Sequence, residues 1–223
     1  MREIVLDTET TGLDPRTGDR IVEIGCIELV GLVPKAQFQR YVNPERPVPP
    51  EVVAIHGLTD EFLSDKPLFA EIVGEFLDFI GDAPIVSHNA PFDLGFLNAE
   101  LRRAGIPEIP RSRTVDTLDL ARRRHPGANN RLDALCQRYG IDNSRRVLHG
   151  ALLDAQLLSE VYLELRGGRQ PGLVLVDQAA MAGAPAPAAA ASGRRPRVIE
   201  PTEAEMERHA ALVKTLRAPL WAS

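Results

Sequence analysis

The chain has 223 residues and a formal net charge of −5 at neutral pH. This length allows one well-cored domain of about 150 to 200 residues together with additional material. An acidic total argues against a protein that coats nucleic acid through bulk positive charge, but it is compatible with a nucleic-acid enzyme whose active site is acidic. The sequence contains no stretch of about 18 apolar residues and no signal-peptide pattern, so we expect an intracellular protein without a membrane partner.

The first 42 residues predict strands without intervening helices, which favours an antiparallel meander. The strands are predicted over residues 2–7, 20–30 and 36–42. A proline-rich stretch then leads into short helical pieces at residues 51–55 and 59–63. Apolar residues at helical spacing next predict an amphipathic helix over residues 67–80, which Gly81 closes. Cys26 lies in a predicted core strand, and we expect it to be a buried free thiol, like Cys136 farther on.

From residue 83 onward, predicted strands alternate with predicted helices. The strands lie at residues 83–87 and 112–115, and the helices at residues 91–104, 117–124, 130–139 and 151–166. A meander followed by such alternation predicts a mixed sheet with helices packed on it, that is, an α/β domain over residues 1–166. Domains of this class bind ligands at the carboxyl ends of their strands.

The composition changes after Arg166. Residues 167–197 are rich in alanine, proline and glycine and contain no aromatic residue, so they predict a flexible linker. Residues 198–223 regain a helical pattern, which begins with a capping-box spacing between Thr202 and Glu205. An apolar stripe on a tethered helix favours a segment that orders on a partner protein, and the alternative is that it packs on its own domain.

Two acids stand at the carboxyl end of the first predicted strand, in the sequence Asp7-Thr8-Glu9. Side chains two residues apart on a strand point the same way, so both carboxylates are directed at one region and repel each other unless a cation lies between them. A divalent metal ion is the simplest such cation. The alternative is a solvated strand end with two unrelated acids.

Asp93 and Asp154 each lie on the apolar face of a predicted helix. A carboxylate taken out of water costs several kcal/mol unless it is paired or ligates a metal, although acids in the first turn of a helix are also favoured by the helix dipole. Four such carboxylates suit a pair of hard cations, Mg²⁺ or Mn²⁺, that act on a phosphodiester. His149 is a candidate general base or a turn histidine. The nearby Arg145-Arg146 pair is a contact for phosphates or a solvated turn.

Three segments resemble the motifs of one nuclease family, the DEDDh or DnaQ-like 3′-5′ exonucleases. They are Asp7-x-Glu9, His88-Asn89-Ala90-Pro91-Phe92-Asp93 and His149-x-x-x-x-Asp154. The resemblance extends over almost all of residues 1–166, with further family-like pieces at residues 55–59, 114–117 and 132–136. It implies a ribonuclease H-like mixed sheet flanked by helices. Within the family, the chain is most similar to the epsilon proofreading subunits of bacterial DNA polymerase III.

The resemblance also implies roles for individual residues. Asp7, Glu9, Asp93 and Asp154 would hold two divalent metal ions, Mg²⁺ or Mn²⁺, and His149 would be the general base. The reaction would be hydrolysis of the terminal phosphodiester, which releases a deoxynucleoside 5′-monophosphate. Asp116 would have a supporting role. Contacts with the 3′ end of the DNA are implied for Thr8, Thr10, Thr11, Gly12, Leu13, His56, His88, Asn89 and Phe92.

The carboxyl-terminal segment gains a partner from the same resemblance. Residues 198–223 would bind the alpha subunit of polymerase III, and Gln170–Leu175 resembles the short peptides that bind the sliding clamp, a pattern that also arises by chance. A bacterial, cytoplasmic and nucleoid-associated protein is expected. The alternatives are a free-standing exoribonuclease and a non-catalytic scaffold that joins polymerase to clamp. The intact set of four acids and one histidine argues against the scaffold.

Overall fold

The structure is a computed structural model that describes residues 1–146, 148–168 and 202–213. The chain divides into two units, residues 1–173 and 174–223. The first unit contains a five-stranded sheet and seven α-helices among its described residues. In chain order these elements are β1 (Arg2–Thr10), β2 (Ile21–Val30), β3 (Val33–Tyr41), α1 (Pro50–His56), α2 (Asp60–Leu63), α3 (Phe69–Ile80), β4 (Ile85–Ser87), α4 (Ala90–Arg103), β5 (Thr114–Asp116), α5 (Thr117–Arg124), α6 (Leu132–Tyr139) and α7 (Ala151–Leu165).

The sheet has the strand order β3-β2-β1-β4-β5. β1 pairs antiparallel with β2, and β2 pairs antiparallel with β3. β4 pairs parallel with both β1 and β5. The predicted mixed sheet flanked by helices is therefore confirmed, and the predicted meander forms its antiparallel half.

Helices cover both faces of the sheet because β1 is apolar on both faces. Ile4 and Leu6 pack into the core under α3 and α4, together with Phe76 and Phe96. Val5 points to the opposite face and packs in a second cluster with residues of α7. Successive side chains of a strand alternate between the two faces, so Asp7 and Glu9 lie on the α7 side of β1 and Thr8 lies on the α4 side.

β1 extends farther than its apolar run predicted. The prediction ended at Asp7, whereas the ladder with β2 continues as far as the pair of Thr10 with Ile21, after a register irregularity between Glu9 and Thr10. Cross-strand hydrogen bonds, rather than apolar side chains, hold these last residues in the strand. Asp7 and Glu9 consequently lie within a strand that is paired on at least one side, which fixes their backbone.

A close approach of backbones locks α7 onto the sheet. A Cβ atom on Gly25 of β2 would lie 2.2 Å from both the carbonyl carbon of Ala151 and the amide nitrogen of Leu152. The buried carboxylate of Glu23, also on β2, accepts a hydrogen bond of 3.1 Å from the Ala151 amide at the start of α7. These contacts set the position of the first turn of α7, which carries Asp154. In the same sheet Cys26 is a buried free thiol, as predicted, and so is Cys136 in α6.

In the second unit the structure describes one helix, α8 (Glu203–Val213). The Glu205 carboxylate accepts hydrogen bonds from the Thr202 amide at 2.8 Å and from the Thr202 hydroxyl at 2.7 Å. The first of these is the bond by which the glutamate of the predicted capping box reaches back to the helix start. The predicted linker, apart from its first two residues, and the predicted clamp peptide at residues 170–175 lie outside the described residues. Among the described helices, none has the length and apolar character needed to cross a membrane.

Candidate active site

Four acidic side chains converge from three elements of the first unit. Asp7 and Glu9 come from β1, whereas Asp93 and Asp154 come from the first turns of α4 and α7. The helical residues are almost fully buried, as their positions on apolar helix faces predicted. Asp7, Glu9, Asp154 and His149 line a cleft of about 520 Å³. Asp93 is not among the lining residues of this cleft, but its charge raises the pKa of Asp7 and of Glu9.

Three members of the set have potential ligand atoms close together. One oxygen of Glu9, one ring nitrogen of His149 and one oxygen of Asp154 all lie within 4.8 Å of one another. This is the spacing of groups that can share one metal ion. Asp7 and Asp93 lie outside this group of three, although their charges act on the same cleft.

Burial and mutual repulsion make the cleft a poor place for uncompensated negative charge. Burial raises the pKa of Asp7 well above its usual value, and the neighbouring carboxylates of Asp93, Glu9 and Asp154 raise it further. Burial also raises the pKa of Glu9 to about 8, with added contributions from Asp154 and from Glu23. Such a set of hard oxygen donors fits a divalent cation, which would relieve both the burial of charge and the repulsion.

Asp93 is held by hydroxyl groups that come from neighbouring strands. The Thr8 hydroxyl donates to Asp93 Oδ1 at 2.7 Å, and the Ser87 hydroxyl donates to Asp93 Oδ2. Burial raises the pKa of Asp93 to about 6, and these two hydrogen bonds act against that rise. Thr8, predicted as a substrate contact, is buried and orients an acid of the site in this structure.

The turn between β4 and α4 is built by asparagine and histidine. Asn89 adopts a left-handed conformation with φ of 72°, and its amide donates to Asp116 Oδ1 at 3.1 Å. Asp116 also accepts from the Leu118 amide at 2.9 Å, so it joins this turn to the start of α5. His88 Nδ1 and the Thr117 hydroxyl lie 2.9 Å apart, and His88 lines the cleft.

The segment after β1 contains both internal and exposed groups. The Thr10 hydroxyl donates to the Gly12 carbonyl at 2.6 Å. The Thr11 hydroxyl accepts from the Arg20 amide at 3.0 Å, and Thr11 is completely buried, which favours a structural role over the contact with nucleotide that the resemblance implies. Leu13, by contrast, is 84% exposed, an unusual state for a large apolar side chain.

Two other predicted site residues come from α1 and α4. His56 is buried at the end of α1, where its Nδ1 accepts from the Leu58 amide at 3.0 Å and burial lowers its pKa. The Ile55 carbonyl next to it accepts from the His149 amide at 3.0 Å, so α1 fixes the backbone of His149. Phe92 lines the cleft and packs against Phe96 with the two rings tilted at 49° and their centroids 5.0 Å apart.

The structure adds residues to the site that sequence reasoning missed. Arg146, which was predicted either to meet phosphates or to be solvated, forms an ion pair with Asp154 inside the cleft. Asp133, which lies on α6, forms an ion pair with Arg146 as well. Glu23 supplies a further negative charge beside Glu9. The only sequence signal for Arg146 was its position three residues before His149, and Glu23 was visible only as an acid within an apolar strand.

Comparison with known proteins identifies the family. A family model described as "Exonuclease" (RNase_T) matches residues 4–162. The DNA polymerase III subunit epsilon of Rickettsia conorii is 51% identical over 215 residues, which cover 94% of each chain. The chain belongs to the epsilon-type DEDDh 3′-5′ exonucleases. The epsilon subunit of Escherichia coli K12 is 50% identical over 180 residues, which cover 75% of this chain and 72% of that one.

Solved structures share the fold of this epsilon-type exonuclease. Exonuclease X in complex with 5′-overhanging duplex DNA is 28% identical, with a TM-score of 0.58 over 73% of this chain and 89% of that chain. The nuclease domain of 3′hExo, a DEDDh family member bound to rAMP, has a TM-score of 0.65 at 17% identity over 74% of this chain and 91% of that chain. The ribonuclease H-like fold expected from the motifs is thereby confirmed, and members of this family use divalent metal ions.

Proposed function

We propose that this exonuclease removes mispaired 3′-terminal nucleotides from DNA as the proofreading subunit of a bacterial replicative polymerase. The observation that carries the proposal is the 51% identity to an epsilon subunit over 94% of both chains, because the match includes the tail as well as the nuclease domain. The convergence of Asp7, Glu9, Asp154 and His149 on one cleft supports it, and Asp93 lies near enough for its charge to raise the pKa of Asp7 and of Glu9.

The four acids Asp7, Glu9, Asp93 and Asp154 hold two divalent ions, Mg²⁺ or Mn²⁺, in this proposal. When bound, such ions stabilise the charge that develops on the attacking and leaving oxygens. The protein contributes a fixed geometry. β1 sets two of the acids, and the hydroxyls of Thr8 and Ser87 hold the carboxylate of Asp93 in one orientation.

His149 is the general base, which accepts a proton from the attacking water. The histidine side chain is 47% exposed at the mouth of the cleft, and its Nδ1 lies 3.6 Å from Asp154 Oδ2. A base at this place can reach both the water and the bulk solvent that finally takes the proton. Hydrolysis then releases a deoxynucleoside 5′-monophosphate and leaves a DNA strand that is one nucleotide shorter.

The 3′-terminal nucleotide lies between the segment after β1 and the start of α4. The exposed Leu13 and the cleft residue Phe92 provide apolar surfaces on which bases can stack or wedge. The remaining substrate contacts are proposed for Thr10, Gly12, His56, His88 and Asn89. The buried Thr8 orients Asp93, and the buried Thr11 holds the segment after β1 through its bond with the Arg20 amide.

Residues 198–223 bind the alpha subunit of polymerase III, and Gln170–Leu175 binds the sliding clamp. The helix α8 within the first of these segments supports a helix-in-groove contact, because its described residues are exposed in the structure, Met206 among them. In the cell the protein accordingly works with the replicase at the nucleoid.

An exoribonuclease is the alternative, since the proposed chemistry hydrolyses either sugar. A solved neighbour of this fold recognises the stem-loop of histone mRNA, but its identity of 16% shows similarity of fold alone. The epsilon subunits, which are 51% and 50% identical to this chain, favour DNA as the substrate.

The deciding experiment uses the full-length protein with Mg²⁺ or Mn²⁺ on 5′-labelled oligonucleotides. We expect rapid degradation of single-stranded DNA and of duplexes with a mispaired 3′ end, slower degradation of matched duplexes, and no activity of the Asp7→Asn, Glu9→Gln double variant. Circular dichroism checks that the double variant is folded. A wild-type protein that degrades short RNA but leaves DNA intact would refute the proposal.

A further inference from the structure

Arg146 lines the cleft and pairs with Asp154, one of the acids to which the resemblance assigns metal binding. Its Nε donates to Asp154 Oδ1 at 2.5 Å, and its Nη2 donates to Asp154 Oδ2 at 2.7 Å. Both oxygens of the carboxylate are therefore engaged in a fork-shaped pair, the strongest geometry that arginine forms with an acid. Only 8% of the Arg146 side chain and 5% of the Asp154 side chain are exposed, so solvent screens this pair weakly.

The same guanidinium also holds the candidate base. Arg146 Nη2 lies 2.8 Å from Nδ1 of His149. A guanidinium can only donate hydrogen bonds, so Nδ1 accepts, and the proton of the neutral ring then resides on Nε2. In this arrangement the single free lone pair of the imidazole is already used. His149 cannot take a proton from water until Arg146 withdraws.

Arg146 is also the charge that counteracts repulsion among the acids. Burial and the neighbouring carboxylates raise the pKa of Glu9 and of Asp7, whereas Arg146 acts on both in the opposite direction. A divalent ion bound to Asp154 would exert the same effect from the same place. Two cations so close together repel each other strongly, so Asp154 cannot serve both at once without loss of affinity.

Arg146 stands on a loop between α6 and α7, and its third hydrogen bond leads out of the cleft. Its Nη1 donates to Asp133 Oδ2 at 2.8 Å, and the Asp133 side chain is 58% exposed at the rim. An arginine that leaves Asp154 therefore keeps an acidic partner within reach. Among the described residues on either side of Arg146, 140–145 and 148–150 belong to neither a helix nor a strand, so none of these has to leave a regular element for this movement.

We propose that Arg146 is an internal cation that neutralises Asp154 and ties up His149 in the metal-free enzyme, and that it competes with a divalent ion for Asp154. The inference rests on the proposed function, because it takes Asp154 to be a metal ligand and His149 to be the base. It makes Arg146 a positioning residue. Binding of a divalent ion to Asp154 would then displace Arg146 and free His149 in one event. The site would become active only with the ion bound.

The first test measures Mn²⁺ binding to the full-length protein by titration calorimetry without DNA. We expect Arg146→Gln to bind Mn²⁺ about fivefold or more tightly than the wild type, because the competing cation is gone. The matched control is Arg145→Gln, which removes the same charge from the exposed neighbouring position on the same loop and should leave the affinity nearly unchanged. Equal or weaker binding by Arg146→Gln would overturn the inference.

The second test uses the wild-type protein and so does not depend on whether a variant folds. In nitrogen-15 NMR without metal, we expect a hydrogen-bonded Nε–H signal from Arg146 and the Nε2-protonated tautomer of His149. Saturating Mg²⁺ should shift the Nε–H signal of Arg146 and change the ring-nitrogen signals of His149. Signals that stay unchanged at saturation would contradict the inference.

The two tests separate this inference from the proposed function. A wild-type protein that binds Mn²⁺ and degrades DNA, but whose Arg146→Gln variant gains no affinity, refutes only the competition. A wild-type protein that neither binds Mn²⁺ nor degrades DNA refutes both. A merely structural role for Arg146 would predict a loss of stability in Arg146→Gln without a gain in affinity for Mn²⁺.

Discussion

At the scale of single residues, the acids of the cleft differ in what compensates their charge. Asp93 receives two hydroxyl hydrogen bonds, and Asp154 receives a guanidinium. Burial leaves Glu9 with a pKa of about 8 and Asp93 with a pKa of about 6 in the metal-free protein. Each unit of such a shift corresponds to about 1.4 kcal/mol between the two protonation states.

We predict that the metal-free protein loses stability as the pH rises from about 5 to about 8. Folded Glu9 keeps a proton that the unfolded chain releases above its ordinary pKa of 4.5, so the unfolded state binds fewer protons and the free energy of unfolding falls until the pH exceeds about 8. The melting temperature in a chelator, measured against pH, checks this. Glu9→Gln should flatten the decline, and a wild-type curve parallel to that of the variant would contradict the prediction.

We also predict that His149→Ala lowers kcat by about 10²- to 10⁴-fold, because a positioned base contributes on that scale. KM and the melting temperature should change little, since the His149 side chain is half exposed. Steady-state kinetics on single-stranded DNA provide the measurement. His125→Gln is the matched control, because His125 lies outside the cleft and contacts the Tyr139 hydroxyl. Comparable losses in both variants would rule out a specific role for His149.

At the scale of elements, the contact between β2 and the start of α7 positions Asp154. α7 approaches the sheet at Gly25, and Glu23 receives the first amide of the helix. Asp154 in the first turn of α7 depends on this contact. The helix cannot slide along the sheet without a clash of main chain against main chain.

Gly25→Ala should therefore destabilise the protein by about 1 to 3 kcal/mol or more, because the atoms that the new methyl group meets are backbone atoms of α7. It should also lower exonuclease activity through displacement of Asp154. Chemical denaturation and an activity assay test both effects. The control is Gly74→Ala in α3, where a Cβ meets nothing within 4 Å and should stabilise the helix by about 0.5 to 1 kcal/mol. Equal effects of the two substitutions would show that the close backbone contact at Gly25 does not position α7.

At the scale of the whole molecule, the exonuclease family match falls within the first of the two units of the chain. The exonuclease family match ends at residue 162, whereas the similarity to the Rickettsia conorii subunit covers 94% of the chain. All the residues of the candidate site lie in the first unit.

Truncation after residue 197 should thus leave exonuclease activity on single-stranded DNA within about twofold of the wild type, because the cleft loses none of its residues. The same truncation should abolish co-elution with the polymerase alpha subunit on gel filtration. A variant altered only at Gln170 and Leu173 serves as the control and should keep the alpha subunit while losing the clamp. Unchanged co-elution of the truncated protein would contradict the proposal that residues 198–223 bind the alpha subunit.

The sequence determined the features that depend on local periodicity. A strand alternates with period two and a helix with period 3.6, so the apolar pattern alone fixed the faces on which Asp93 and Asp154 lie and predicted the order of strands and helices. The motif spacing identified the family. The end of β1 was misjudged because its last residues are held by pairing with β2 rather than by apolar side chains.

Only the tertiary structure decided which groups surround each acid. Thr8 and Asp93 are separated by 85 positions along the chain, and Glu23 and Ala151 by 128, so no local pattern could pair them. From the sequence, Arg146 was predicted to contact phosphates or to be solvated. In the folded chain its Nη1 donates to Asp133 and its Nη2 donates to Asp154. Charge compensation in a buried site depends on distances through space, and those distances are set by the packing of the helices on the sheet.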